Sequence, residues 1–168
     1  MKRPASILLA ALTTLVLAAT ACGGDDSSGG TSTPAGRTCT TVEPTLASLN
    51  ASIFSSRETC GGTNCHGVSR QAENTLHLEG RSDADVLAEL TKATDRLDGS
   101  VRVVPGDASK SFLVAKVKGD YTGFPCVSVT DKKKVGHCGD RMPGPPNPAL
   151  CANEIAAIEK WIADGAKP

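Results

Sequence analysis

The stretch RETCGGTNCHGVS, residues 57–69, contains the most informative residue pattern in this chain. In it His66 directly follows the second of two cysteines, Cys60 and Cys65, which are separated by four residues. The shorter pattern C-x-x-C-H attaches haem c, with the two thiols bound to the porphyrin and the histidine to the iron. The adjacency of histidine and cysteine sets the reach of the imidazole, whereas extra spacer residues can loop away from the porphyrin edge. The stretch therefore predicts a haem site with a lengthened spacer.

Two other interpretations of the stretch stay open. Cys60 and Cys65 could form a small disulfide loop that ends in an incidental histidine. A zinc site would need four ligands in compact spacing, and the next histidine, His77, lies eleven residues beyond His66. For the haem interpretation, we expect the spacer glycines Gly61 and Gly62 to ease the loop by tolerating unusual backbone angles.

Residues 1–21 form a targeting segment that is set aside before any fold is considered. A basic start is followed by an apolar stretch, Ile7–Ala19, that is too short to span a bilayer comfortably. The segment ends in LAATAC, which predicts a lipoprotein signal cleaved before an acylated Cys22; an ordinary secretory signal is the alternative. Acyl chains on one residue give firm membrane attachment. We therefore expect a lipid-anchored protein outside the cytoplasm, on the periplasmic side or the cell surface, where disulfides persist.

The Gly/Ser-rich residues 22–38 predict a flexible tether, and residues 39–168 one small domain. Removal of Lys2 and Arg3 with the signal leaves 16 basic against 18 acidic residues, a net charge of −2, which argues against a nucleic-acid partner. The whole chain has one Trp, one Tyr and three Phe, so its core needs another source of stability. Disulfides or a large apolar cofactor would supply it.

Seven cysteines become six once Cys22 carries lipid. If Cys60 and Cys65 hold haem, four remain, and these allow three pairings. We favour Cys126–Cys138, which closes a local loop, and Cys39–Cys151, which ties the start of the domain to its last helix. Three disulfides without a cofactor satisfy the same count.

Apolar spacing predicts a mostly helical, all-α domain. The expected helices are Pro44–Ser56, Ser82–Thr94, Ser109–Lys118 and the stretch LCANEIAAIEKWIADGA, residues 150–166. In the last of these we expect Ile155, Ile158 and Ile162 to face the core and Glu154 to face water.

Met142 is the candidate ligand for the second face of a haem iron. It lies in DRMPGPPNPAL, where several prolines predict a stiff, extended loop that can hold a thioether at low entropic cost. A methionine that merely fills a gap in the core is the alternative. His137 is the rival ligand, although its neighbour Cys138 would hold it less freely if disulfide-bonded.

The chain resembles bacterial lipoproteins with a c-type cytochrome domain, of the planctomycete and myxobacterial cytochrome c-like type. The stretches that carry the resemblance are IFSSRETCGGTNCHG, RVVPGDASKSFLVAKVKG, DRMPG and LCANEIAAIEKWIADGA. The resemblance implies a small helical domain around one haem c, bound covalently through Cys60 and Cys65 and ligated by His66 and Met142. The disulfide-closed loop before the methionine departs from the common pattern.

The expected function is single-electron transfer rather than catalysis, with redox partners that the sequence does not name. A disulfide-stabilised binding or structural lipoprotein without haem is one alternative. A haem-bearing sensor, or an accessory subunit of a larger oxidoreductase, is the other.

Overall fold

The computed structural model describes residues 36–63, 65–67, 76–94, 101–128, 130, 133 and 135–168. The predicted signal segment, Cys22 and the tether up to residue 35 lie outside this part of the chain. All described residues belong to one compact unit, Thr31–Pro168. None of the helices in the described part has both the length and the apolar character needed to span a bilayer.

The first helical stretch changes its hydrogen-bond pattern halfway. Helix α1, Leu46–Leu49, begins after Thr45, whose hydroxyl accepts a hydrogen bond from the Ser48 N–H. It continues as a π-helical turn, Asn50–Phe54. The predicted helix 44–56 is therefore shorter and mixed, and its apolar residues are buried as expected: Leu46, Leu49, Ile53 and Phe54.

A buried amide joins this first stretch to the next helix, α2, Asp83–Leu90. Asn50 Nδ2 donates to the Asp83 carboxylate at 2.7 Å and to the Arg81 carbonyl at 3.1 Å. The Ser55 hydroxyl donates to Asn50 Oδ1 at 2.6 Å. Because a buried amide costs free energy unless it is hydrogen-bonded, these contacts fix the position of α2.

Two short elements follow in the middle of the chain. A 3₁₀ turn, Ala108–Lys110, precedes helix α3, Phe112–Lys118. The predicted helix 109–118 is thus divided in two. Gly119, at φ 73°, ends α3 in the left-handed conformation that glycine adopts without strain.

The last helix, α4, Ala152–Ala163, packs on the first across the core. Ile158, Trp161 and Ile162 are buried, and the ring centroids of Phe54 and Trp161 lie 6.1 Å apart. Ile155 is only partly buried at the edge of this cluster. Cys151 is the N-cap residue.

Glu154 corrects the sequence analysis, because its side chain is fully buried instead of facing water. Its Oε1 lies 2.6 Å from Arg37 Nη2 and 3.1 Å from the Thr40 hydroxyl, and its Oε2 accepts from the Cys151 N–H at 2.8 Å. Arg37, which the sequence analysis gives to the tether, thereby contacts the folded domain. A charge pair of this kind is how a buried carboxylate is accommodated.

The structure contains two disulfides, Cys39–Cys151 and Cys126–Cys138. The prediction that the chain has disulfides is confirmed, and the pairs are those favoured from the sequence. In the described residues the only β pairing consists of two isolated bridges, Ala93 with Val101 and Val127 with Val135. The all-α class is therefore confirmed.

Candidate functional site

The four candidate haem-binding side chains line one cavity. Cys60, Cys65, His66 and Met142 all contribute to its wall, and its volume is about 690 Å³. This volume falls within the range of about 300–1,000 Å³ that is usual for sites that bind cofactors and other small molecules. Residues 57–67, here called the Cys loop, and residues 138–147, here called the Met loop, both contribute to this wall.

The remainder of the wall combines polar groups with a set of apolar side chains. The apolar side chains come from the π-helical turn, the segment before α2, α2 and α3: Phe54, Leu76, Leu78, Leu90, Phe112, Leu113 and Val117. Such a wall suits an apolar group larger than an ion.

The Cys loop is held by backbone hydrogen bonds to the end of the first helical stretch. The Cys60 N–H donates to the Ile53 carbonyl at 3.2 Å, and the Gly61 N–H to the Ser56 carbonyl at 2.8 Å. A Cβ at Gly61 would lie 2.4 Å from the Ser55 carbonyl oxygen. A Cβ at Gly62 would lie 2.8 Å from the Arg57 carbonyl oxygen.

The spacer glycines are therefore required for a different reason from the one expected. The described glycines with positive φ do not include Gly61 or Gly62. Gly61 and Gly62 instead allow backbone to approach backbone closely, which no other residue permits. These two residues of the spacer lie against the backbone of Ser55 and Arg57.

His66 is oriented by its second ring nitrogen. Nδ1 lies 3.0 Å from the Leu76 carbonyl oxygen. A carbonyl only accepts, so Nδ1 carries the proton in this contact and Nε2 keeps its lone pair. Metal-ligating histidines are fixed in the same way, since a hydrogen bond at one nitrogen sets the tautomer and the ring orientation.

The electrostatics of the cavity favour a neutral imidazole. Burial lowers the pKa of His66, and the positive charges of Arg102 and Lys116 lower it further, against the opposing effect of the Leu76 carbonyl. Neutral imidazole is the form that binds a metal. Arg102 and Lys116 also line the cavity.

Cys60 and Cys65 are thiols in the structure and are not joined to each other. Cys60 is buried, and burial, together with the nearby Cys65, raises its pKa to about 12. Within the described residues, no group of three His, Cys, Asp or Glu side chains is arranged to hold a metal ion.

The Met loop is fixed at two points. The disulfide Cys126–Cys138 holds its first residue, and the Met142 N–H donates to the Lys116 carbonyl at 2.7 Å. Pro143 is buried and, like Met142, lines the cavity. The thioether is thus brought to the same cavity as His66.

The two other histidines lie outside the cavity wall. His137 is exposed, and its Nδ1 accepts a hydrogen bond from the Gly139 N–H at 2.8 Å. His77 is half-buried, and its Nδ1 accepts from Arg81 Nε at 3.1 Å. Neither belongs to the residues that line the cavity.

No protein-family model, curated protein or solved structure matches this chain. Two charged residues in the cavity wall, Arg102 and Lys116, were missed by the sequence analysis. Neither has a local signal, because a cation that lines a cavity has the same sequence surroundings as one that faces water.

Proposed function

We propose that this chain is a monohaem c-type cytochrome domain that transfers single electrons outside the cytoplasm. The observation that carries the proposal is the shared cavity: two thiols, an imidazole and a thioether line one space whose wall also contains seven apolar side chains. These groups come from two different loops, and His66 and Met142 are 76 residues apart in sequence.

Each donor matches one requirement of haem c. Cys60 and Cys65 would carry the two thioether bonds to the porphyrin. His66 would bind the haem iron through Nε2, and Met142 would bind it through its sulfur. When bound, the haem supplies a one-electron couple, and a His–Met ligand pair raises its potential relative to other ligand sets.

The protein's own contribution is position and exclusion of water. The Leu76 carbonyl fixes the His66 ring. The His66 N–H donates to the Cys60 carbonyl at 3.0 Å and the Cys65 N–H to the Gly62 carbonyl at 2.8 Å, which holds the two cysteines beside the histidine. The apolar side chains of the wall lower the local dielectric. A porphyrin in this space would also replace the core area that a chain so poor in aromatic residues lacks.

The same proposal includes a lipid anchor on Cys22. It is supported by the sequence alone, since that residue lies outside the described part of the chain. A Cys22→Ser variant is expected to move from the membrane fraction to the soluble extracytoplasmic fraction. Retention in the membrane would contradict the anchor without bearing on haem.

The direct test is to express the full chain in a host with haem c attachment machinery and to record the pyridine haemochrome spectrum. We expect one c-type haem per chain, and a mass increase of one haem on the polypeptide after denaturation. The double variant Cys60→Ser, Cys65→Ser should lose the covalent haem. His77→Ala, which changes a histidine outside the cavity wall, is the matched control and should keep it.

A wild-type chain without haem would overturn the proposal. The domain would then be read as a disulfide-stabilised binding or structural lipoprotein, with the same cavity open to another apolar ligand. A haem-loaded sensor or oxidoreductase subunit would carry the haem yet fail to exchange electrons with small redox proteins.

A further inference from the structure

Lys116 contacts the Met loop with both its backbone and its side chain. It lies in the last turn of α3, where carbonyl groups have no partner within the helix. Its carbonyl accepts from the Met142 N–H at 2.7 Å. Its ammonium donates to the Cys138 carbonyl at 3.0 Å and to the Asp140 carbonyl.

The lysine side chain is itself held in place. Its Nζ lies 5.4 Å from the ring centroid of Tyr121 and 5.9 Å from that of Phe112. Both rings belong to a small second core that also contains Cys126 and Cys138. The ammonium therefore lies between two aromatic rings and the backbone of the Met loop. Its hydrogen bonds to the loop carbonyls are stronger than those of a neutral donor would be.

Gly139 makes the close approach possible. It has φ 81°, and a Cβ there would lie 3.1 Å from Lys116 Nζ. The loop turns around the ammonium at this residue, so that carbonyls on either side of Gly139 point to the same cation. This arrangement places residues 138–142 against α3.

We propose that Lys116 is the positioning residue for Met142, holding the Met loop against α3 so that the thioether faces His66 across the cavity. The inference rests on the proposed haem function, which gives Met142 its role as ligand. Lys116 is not itself a ligand in this proposal; it acts through the backbone of residues 138–142. The disulfide Cys126–Cys138 fixes the loop only at residue 138, so the position of Met142, four residues later, depends on Lys116.

The test compares three variants of the full chain, expressed with the haem attachment machinery. Lys116→Met keeps the aliphatic stem against the two rings and removes only the ammonium. Lys116→Arg restores a cation that can donate to two carbonyls. Lys118→Met is the matched control, because Lys118 lies on the same helix and pairs with Glu159 instead of the Met loop.

Two readouts separate positioning from general stability. The first is the thioether-to-iron absorption near the red edge of the visible spectrum, which we expect to be lost or strongly weakened in Lys116→Met, retained in Lys118→Met and largely restored in Lys116→Arg. The second is hydrogen exchange of the Met142 amide, which should accelerate at least about tenfold in Lys116→Met. Exchange within α4 should not change.

The outcomes distinguish this inference from the proposed function. A wild-type chain without haem overturns the proposed function and the ligand role with it. Full haem content together with an unchanged absorption band in Lys116→Met overturns the positioning role alone. An unchanged exchange rate of the Met142 amide does the same, whatever the haem content.

Discussion

The Glu154 carboxylate lies 2.6 Å from the Arg37 guanidinium, and the glutamate is completely buried. Loss of one member of a buried ion pair leaves the other charge without compensation, at a cost of about 3–5 kcal/mol. Glu154→Gln should therefore lower the free energy of unfolding by about 3 kcal/mol in urea denaturation. Glu159→Gln, which breaks the exposed pair with Lys118, should cost no more than about 1 kcal/mol. Equal losses in the free energy of unfolding for Glu154→Gln and Glu159→Gln would contradict the claim that burial makes the Glu154 pair more important for stability.

The two disulfides should differ in their effect on stability. Cys39–Cys151 joins residues 112 positions apart, and Cys126–Cys138 joins residues 12 apart. Loop-closure entropy gives about 5 kcal/mol for the first and about 3 kcal/mol for the second. Paired Cys→Ser variants, compared by urea denaturation, should follow this order. A larger loss from the short loop would indicate that packing of the second core dominates.

Cys60 should be the less reactive thiol in chains that carry no haem. It is buried with a pKa raised to about 12, whereas Cys65 is half-buried. Because the thiolate is the nucleophile, iodoacetamide at pH 8 should modify Cys60 at least ~100-fold more slowly than Cys65, as followed by peptide mass spectrometry. In haem-loaded chains neither cysteine should react, even after denaturation. Rapid labelling of Cys60 in the native chain would contradict its burial.

Asp107 should contribute a pH-dependent part of the stability. Hydrogen bonds from the Ser109 hydroxyl and from Lys110 lower its pKa from 3.8 to about 2. Folding thus favours the ionised carboxylate, so this stabilisation is present above about pH 4 and is lost as the pH falls toward 2. Asp107→Asn should therefore lower the urea midpoint at pH 6 by more than at pH 2. If the urea midpoints of the wild type and Asp107→Asn differ as much at pH 2 as at pH 6, the charge of the Asp107 carboxylate does not cause the difference in stability.

Met142 and His137 should behave differently when each is replaced by alanine. Met142 lines the cavity, whereas His137 lies outside its wall. Met142→Ala should abolish the thioether-to-iron absorption and leave the covalent haem in place, while His137→Ala should keep the wild-type spectrum. Loss of this absorption in His137→Ala but not in Met142→Ala would contradict the assignment of Met142 and favour His137 as the ligand.

Much of the helical fold could be predicted because it depends on local sequence. Apolar residues at helical spacing placed α2 and α4 within a few residues of their observed bounds. The burial of Asn50 in the first stretch could not be predicted, because its side chain is hydrogen-bonded to residues more than 30 positions away. The same reason accounts for Glu154, whose partner Arg37 is 117 residues distant.

For the candidate site, the sequence could select four side chains that the structure places in one cavity wall, but it could not select the residues that support them. Cys60, Cys65, His66 and Met142 could be selected because few other side chains in this sequence can bind a haem. Lys116 could not be selected, since its role depends on how the Met loop folds onto α3. The close approach of two backbone segments that requires glycine at position 61 could not be predicted either, because it is a property of the folded chain.

The bond between Cys39 and Cys151 closes residues 39–151 into a covalent ring and leaves the residues after Cys151, including helix α4, outside it. Any single peptide bond cut between residues 40 and 150 would leave two pieces that remain one molecule. A protease could therefore cut a loop in this range without separating the Cys loop from the Met loop. Only a cut combined with reduction of Cys39–Cys151 would release the pieces, and a cut between Cys126 and Cys138 would require reduction of both disulfides.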